Sequence, residues 1–153
     1  MPDCVQPDVL LPTRWQDLVA ASRQVRENAY AVYSNYAVGA AVLTDDGRVF
    51  VGCNVENASY GLTICAERVA VCSAVAAGQK KIIAACVSLT GRPVPCGACR
   101  QFLYEFNPTM LILLDNLDNA NDPFPEAVCL STLLPNAFRL EKVTAEATDG
   151  GPE

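Results

Sequence analysis

The order of apolar and polar segments predicts an α/β fold, a three-layer α-β-α sandwich in which a mixed five-stranded sheet is flanked by helices. A helical pattern precedes a hairpin signal, short apolar runs then alternate with helical segments, and no internal repeat or low-complexity tract interrupts them. The 153 residues suit one domain of ordinary size with a real core. We expect a single domain over residues 1–143 and a flexible C-terminal tail over 144–153.

The first elements are a helix and a hairpin. Residues 13–33 place apolar side chains at mostly helical spacing, with Arg and Glu between them, which predicts an amphipathic helix. Apolar runs at 38–44 and 48–53 flank an Asp-Asp-Gly turn signal. These runs predict two antiparallel strands.

The rest of the chain alternates between helices and strands. The polar stretch 54–63 predicts a loop, and residues 65–77 predict a second helix that Gly78 ends. Residues 115–125, rich in Asn and Asp, predict a surface loop. The other predicted elements are a strand at 81–90, a loop at 91–95, a helix at 96–106, strands at 110–114 and 127–130, and a helical turn at 131–134.

Composition bears on the partners of the chain. Hydrophobic residues make up 51% and charged residues 18%, so we expect apolar surface to be buried between subunits. The formal net charge of -6 argues against nucleic acid as substrate or partner, because phosphate backbones repel an acidic protein.

The sequence also predicts a cytoplasmic protein without membrane contact. Residues 1–13 lack a cationic region followed by an apolar run, and no apolar stretch reaches the roughly 18 residues needed to span a bilayer. In such a chain the eight cysteines are better interpreted as reduced thiols, some of them metal ligands, than as disulfides.

Three cysteines form the pattern that carries the chemistry. The chain has no histidine, yet Cys65 stands two residues before Glu67, and Cys96 and Cys99 follow as Pro-Cys-x-x-Cys. Three thiolates leave a tetrahedral zinc ion one open position for water, whereas structural sites normally have four protein ligands. This pattern is a described signature of zinc-dependent nucleobase deaminases. We predict Zn²⁺ as cofactor, the three cysteines as its ligands and Glu67 as catalytic acid and base.

Two other uses of these cysteines are weighed against that prediction. Cys-x-x-Cys alone also fits a redox pair, but that interpretation leaves Cys65 and Glu67 without a role. A structural zinc site needs a fourth ligand, for which Cys53 and Cys72 are the candidates. Cys72 lies seven residues after Cys65, about 10 Å along a helix, which is too far for the same ion.

The charge of the predicted site needs compensation. Both ligand segments open helices, where unpaired N–H groups and the positive helix end favour thiolates. Three thiolates still outweigh the charge of the metal, and Arg68 is the predicted donor to ligand sulfur. We expect zinc to lower the pKa of its water, Glu67 to accept the proton, and the hydroxide to attack an amidine-like carbon.

Five segments occur in order between residues 15 and 140 and resemble one known family. That family is the small-subunit, homotetrameric cytidine deaminases, within the zinc-dependent cytidine/deoxycytidylate deaminases. The segments are YSNYAVGAA at 33–41, GCNVENASY at 52–60, CAER at 65–68, PCGACRQ at 95–101 and LLPNAF at 133–138.

The resemblance implies a reaction and a set of contacts. The reaction is hydrolysis of cytidine and 2′-deoxycytidine to uridine and 2′-deoxyuridine in pyrimidine salvage, with release of ammonia after zinc-bound hydroxide attacks C4 and Glu67 shuttles protons. The implied partners are a small nucleoside and further copies of the chain, in a homotetramer with active sites near subunit interfaces. The implied substrate contacts are Asn54 and Glu56 on the sugar, the Ala66 backbone on the pyrimidine, Tyr36 stacked on the base, Ala58 and Tyr60 from a neighbouring subunit, and Phe138 near the C-terminal end.

Position 36 departs from the family pattern and leaves substrate preference open. Relatives commonly have Phe there, whereas Tyr36 adds a hydroxyl to the stacking ring. A deaminase of another base-bearing compound, such as the blasticidin S type, is the rival enzyme, although the intact segment 54–57 favours a nucleoside. Acidity and the lack of an aromatic, basic groove argue against a polynucleotide editor. A non-catalytic structural zinc module is the alternative outside enzymes.

Overall fold

The computed structural model describes residues 12–119 and 125–140, which contain the predicted mixed five-stranded sheet. The strand order is β2-β1-β3-β4-β5, in which β3 and β4 are parallel and the other neighbours are antiparallel. None of the described helices is long and apolar enough to cross a membrane. The elements are α1 (Pro12–Arg26), β1 (Gly39–Thr44), β2 (Val49–Cys53), α2 (Ala66–Ala76), β3 (Ile82–Leu89), α3 (Gly97–Phe106), β4 (Leu111–Asn116), β5 (Glu126–Cys129) and α4 (Leu130–Leu133), with short 3-10 helices at Tyr60–Leu62 and Leu117–Asn119.

Helices cover both faces of the sheet, which confirms the three-layer prediction. Successive side chains of a strand point to opposite faces. In β3, Ala84 and Cys86 therefore pack with Leu18 of α1, whereas Ala85 and Val87 face the core shared with α2 and α3. The two hydrophobic cores lie on opposite faces of the sheet, and each helical layer covers one of them.

The first helix is shorter than the predicted 13–33, because α1 ends at Arg26. The Tyr30 amide donates to the Asn54 carbonyl, and the Tyr30 carbonyl accepts from the Glu56 amide. These bonds form a parallel bridge between Tyr30 and Val55 just beyond β2. A sheet-like pairing thus takes the backbone groups that a longer helix would use.

The predicted surface loop at 115–125 begins too early. Strand β4 continues through Asp115 to Asn116, and the Asp115 side chain is buried. Its carboxylate is satisfied there, because the Arg23 guanidinium donates to both oxygens at 2.7 and 2.8 Å and the Ser88 hydroxyl donates at 2.6 Å. Residues 120–124 and the predicted tail at 144–153 lie outside the described residues.

The remaining predicted elements are confirmed to within about two residues. Gly47 in the hairpin turn and Gly78 after α2 both have positive φ, 85° and 84°, a conformation that glycine adopts without steric cost. Helices α2 and α3 begin directly after Cys65 and Cys96. The predicted ligands therefore lie at two helix N-termini.

Candidate metal centre and substrate cavity

Two helix starts bring three thiols together. Cys65 and Cys96 are the N-cap residues of α2 and α3 and have extended backbones, with ψ of 152° and 165°, while Cys99 lies in the first turn of α3. The three Sγ atoms lie within 4.8 Å of one another, and those of Cys65 and Cys96 are 4.0 Å apart. The cluster thus joins residues from segments some thirty positions apart.

This donor set fits a zinc ion. Tetrahedral zinc with Zn–S bonds of about 2.3 Å places its sulfur atoms about 3.8 Å apart, so small side-chain adjustments close the observed cluster around the metal. Among the described residues, the metal-binding group contains these three cysteines and neither Cys53 nor Cys72. Three thiolates without a fourth protein ligand match a zinc site with an open position.

The electrostatics of the cluster favour a thiolate at Cys65. The hydrogen bond from the Cys99 thiol and the nearby Arg68 guanidinium lower the pKa of Cys65 to about 5, against the effect of burial. The same hydrogen bond and burial raise the pKa of Cys99. One thiol therefore ionises readily, and the buried one holds its proton in the absence of metal.

Arg68 lies against the sulfur atom of Cys65. Its Nη2 atom donates to Cys65 Sγ at 3.6 Å and to the Thr63 carbonyl at 3.3 Å. Its Nε atom is buried and has no hydrogen-bond partner within the described part of the chain. The hydrogen bond to Cys65 also raises the pKa of Arg68, so the guanidinium stays charged beside the thiolates.

Glu67 is buried next to the cluster, with an exposed fraction of only 5%. Burial raises the pKa of its carboxyl, and the charge of Cys65 raises it further. Both causes let the Glu67 carboxyl keep its proton up to a higher pH than usual. A carboxyl with such a pKa suits proton exchange with a reacting group.

A cavity of about 270 Å³ opens in front of the cluster. Its walls combine sulfur and carboxyl groups beside the cluster with polar groups from the loops beside β1 and β2. The predicted site residues that line it are Tyr36, Asn54, Glu56, Cys65, Ala66, Glu67 and Cys96. Elements from both halves of the chain thus form one site.

Asn54 and Glu56 also hold the segment that carries Tyr36. The Asn54 amide accepts from the Val38 N–H at 2.9 Å and donates to the Tyr36 carbonyl at 2.8 Å. The Glu56 carboxylate accepts from the Ser34 hydroxyl and from the Tyr33 N–H at 2.8 Å, and these bonds lower its pKa. The sequence pattern did not reveal this structural role.

Sequence reasoning missed several residues of the cavity wall. Ser34 lies inside the recognised segment at 33–41, so a signal for it was present. Val87 and Leu89 have no local signal, because only the orientation of β3 in the sheet directs them towards the cavity. The other missed wall residues are Val38, Thr63, Arg92 and Val94.

Three predicted contacts are not among the residues that line this cavity: Ala58, Tyr60 and Phe138. The Tyr60 side chain is 80% exposed and that of Phe138 is 71% exposed. The Phe138 ring is therefore not part of this chain's core. A contribution of these residues to a neighbouring subunit stays a prediction.

Comparison with known proteins identifies the family. Residues 12–114 match the family described as the cytidine and deoxycytidylate deaminase zinc-binding region. The cytidine deaminase of Sporosarcina psychrophila is 42% identical over 135 residues, which cover 86% of this chain and 96% of that protein. The crystal structure of cytidine deaminase from Burkholderia pseudomallei superimposes with a TM-score of 0.74 at 47% identity, covering 80% of this chain and 97% of that one. Our chain belongs to the zinc-binding cytidine and deoxycytidylate deaminase family.

Proposed function

We propose that this protein hydrolyses cytidine and 2′-deoxycytidine to uridine and 2′-deoxyuridine and releases ammonia, as a step of pyrimidine salvage. One observation carries the proposal: a single cavity is lined by Cys65 and Cys96 of the three-cysteine cluster, by Glu67, and by Asn54 and Glu56. A cytosine nucleoside carries both a reactive amino group and sugar hydroxyls, so it matches this combination of groups. The relatives named as cytidine deaminases support the same substrate class.

Glu67 moves the protons of the reaction. Cys65, Cys96 and Cys99 would hold the zinc ion, which would supply Lewis acidity to activate a water molecule for attack on C4 of the base. The Glu67 carboxylate takes the proton of that water and delivers it to the ring nitrogen N3, which completes addition. Glu67 then takes the proton of the new C4 hydroxyl and gives it to the exocyclic nitrogen, so that the C4–N bond breaks and ammonia leaves as the C4 carbonyl forms.

The remaining cavity residues orient the nucleoside. Ala66 is the first residue of α2, so its N–H has no partner within the helix and is free to donate to the pyrimidine carbonyl. The Tyr36 ring at the cavity wall stacks on the base, and the Glu56 carboxylate accepts from a sugar hydroxyl. The second N–H of the Asn54 amide donates to the sugar.

The assembly we propose is a cytoplasmic homotetramer with active sites near subunit interfaces. Ala58, Tyr60 and Phe138 reach the cavity of a neighbouring subunit. The exposed rings of Tyr60 and Phe138 support this proposal, since each has most of its surface available for a partner.

Ammonia release from the purified, zinc-loaded protein tests the function. Cytidine, deoxycytidine, free cytosine, adenosine and blasticidin S are offered side by side. We expect turnover of the two cytosine nucleosides alone. Turnover of blasticidin S in preference to both nucleosides, or of none of these compounds by protein with a full zinc complement, would overturn the proposal.

A pair of cysteine variants controls for the metal. Cys96→Ser removes a proposed ligand and should lose both zinc and turnover. Cys72→Ser changes an exposed thiol outside the cluster and should keep both.

A further inference from the structure

The guanidinium of Arg100 joins three parts of the chain around the metal centre. Arg100 directly follows Cys99 in α3, and its side chain turns back towards the start of the helix. Its Nε atom donates to the Pro95 carbonyl at 2.7 Å, and its Nη1 atom donates to the Leu133 carbonyl at 2.9 Å. One planar group thus ties the residue before Cys96 to the end of α4.

The loop before Cys96 has few backbone N–H groups with which to form hydrogen bonds. Pro93 and Pro95 have no N–H, so at these two positions the backbone can be tied only through its carbonyls. Pro95 is buried, and its carbonyl is the acceptor directly before the N-cap residue of α3. An arginine donor holds this carbonyl by a short, charge-assisted bond.

The direction in which the loop enters α3 determines the position of a sulfur atom. Cys96 has an extended backbone at the helix start, with φ of −66° and ψ of 165°. Rotation of this peptide would move its Sγ atom relative to that of Cys65, which belongs to a different helix and lies 4.0 Å away. Ligand distances in metal sites lie within about 0.2 Å of their standard values, so a rotation that moves this sulfur atom further weakens binding.

We infer that Arg100 is a positioning residue for the metal centre, which holds Cys96 Sγ in place by tying the Pro95 carbonyl to the Leu133 carbonyl. This inference rests on the proposed function for the assignment of Cys96 as a ligand. Arg100 itself touches neither the substrate cavity nor ligand sulfur in the contacts of the described residues. Its effect is therefore on metal affinity, through the backbone.

Zinc release from the loaded protein under competition with a chromogenic chelator tests this inference. Loss of a residue that orients a metal ligand typically weakens metal affinity by about 10- to 100-fold, and we expect Arg100→Met to weaken zinc affinity by that factor. Arg14→Met is the matched control, because the Arg14 guanidinium also donates to a backbone carbonyl, that of Gly47 at 3.2 Å in the hairpin. The control should release zinc as the unchanged protein does.

Arg100→Lys keeps the charge and the stem but lacks the planar fork that reaches two carbonyls. We expect an intermediate zinc affinity, and this variant decides the question if Arg100→Met does not fold. Unchanged zinc affinity in either folded variant, even with a lowered melting temperature, would overturn the positioning role. Cys96→Ser separates the two proposals: if it keeps zinc, the ligand assignment fails, and if it loses zinc while Arg100→Met does not, only the positioning role fails.

Discussion

Glu67 is the residue whose charge the proposed reaction needs most. Its carboxyl is buried in the first turn of α2 beside three thiols, and burial raises its pKa. An ordinary acidic residue at a helix start lies in water and serves the helix dipole. The burial of Glu67 is therefore better explained by proton transfer than by helix stability.

Glu67→Gln should keep zinc and lose turnover. The amide has the same size but cannot accept a proton, and positioned acid–base groups contribute about 10²- to 10⁴-fold to rate. Zinc content by atomic absorption and ammonia release under saturating cytidine measure the two effects. Retained turnover in a zinc-loaded variant would remove Glu67 from its role.

Glu56→Gln should weaken substrate binding and leave zinc in place. The carboxylate accepts from the Tyr33 N–H and the Ser34 hydroxyl, and both bonds lower its pKa. Because the pKa is lowered, the carboxylate stays charged even at pH values below the ordinary pKa of Glu, and its anchoring of this segment is lost only as the pH falls through the lowered pKa. We expect KM for cytidine to rise about tenfold, as for the loss of one charge-assisted hydrogen bond. An unchanged KM would contradict the sugar-binding role.

Cys86 should resist alkylation in the folded protein. It is completely buried under α1, and this desolvation raises the pKa of its thiol to about 12. The thiolate that reacts with iodoacetamide is therefore scarce at pH 8. Peptide mass spectrometry should find the exposed Cys72 modified in the native protein and Cys86 modified only after unfolding. Equal labelling rates in the native protein would show that α1 does not seal this face.

At the level of elements, β2 and α2 approach each other at Gly52. A Cβ atom there would lie 2.6 Å from the Ala66 carbonyl oxygen and closer still to the Ala70 nitrogen. Both atoms belong to the backbone of α2, so no side chain can move aside. The contact fixes the helix that carries Glu67 against the sheet.

Gly52→Ala should therefore destabilise the protein. The extra methyl group forces β2 and α2 apart, and overpacking of this kind costs about 1–3 kcal/mol. Thermal unfolding should show a lower melting temperature. Gly61→Ala is the control, because a Cβ atom at Gly61 meets nothing within 4 Å. Equal melting temperatures for the two variants would show that the close approach is not rigid.

Sequence patterns predicted the elements well where residues close in sequence determine the structure. The hairpin and the end of α2 follow from glycines with positive φ, and the cluster of three thiols follows from cysteine spacing at two helix starts. The end of α1 was not predictable in this way. Apolar spacing continues past Arg26, but the backbone of Tyr30 bonds to Asn54 and Glu56, which are more than twenty residues away.

Local sequence patterns also could not predict the burial of single residues in β4 and in the cavity wall. Asp115 has an acidic side chain in a polar segment, and only Arg23 and Ser88, distant in sequence, explain its burial. Likewise Val87 and Leu89 line the cavity because of the direction in which β3 runs through the sheet. Such contacts need the tertiary structure.

At the scale of the whole molecule, the exposed large apolar side chains of the described residues are grouped in sequence. Most lie in the segments before β1 and after β2, which the Tyr30–Val55 and Val55–Ile64 bridges join. Exposed apolar side chains grouped on bridged segments are typical of an interaction site, and we refer to them as the apolar surface. Its exposed members are Tyr30, Val32, Tyr33, Tyr36, Val55, Tyr60, Leu62 and Ile64.

This surface leads us to expect that the protein sediments as a tetramer at assay concentration. Tyr60→Ser removes the most exposed ring and should weaken both assembly and activity. Val75→Ser, at the other end of α2 from the metal centre, also removes an exposed apolar group and should leave both unchanged. A monomer with full activity would contradict the proposed assembly.

Mixed subunits give a sharper test of whether Tyr60 serves a neighbour. A Glu67→Gln subunit has no proton carrier but an intact Tyr60, whereas a Tyr60→Ser subunit has the reverse. If Tyr60 enters the neighbouring cavity, a hybrid assembly contains some sites in which both residues are intact. Dissociating and reassembling the two variants together should therefore restore part of the activity that each lacks alone. If Tyr60 acted within its own chain, no site in the hybrid would hold both groups, and mixing would restore nothing.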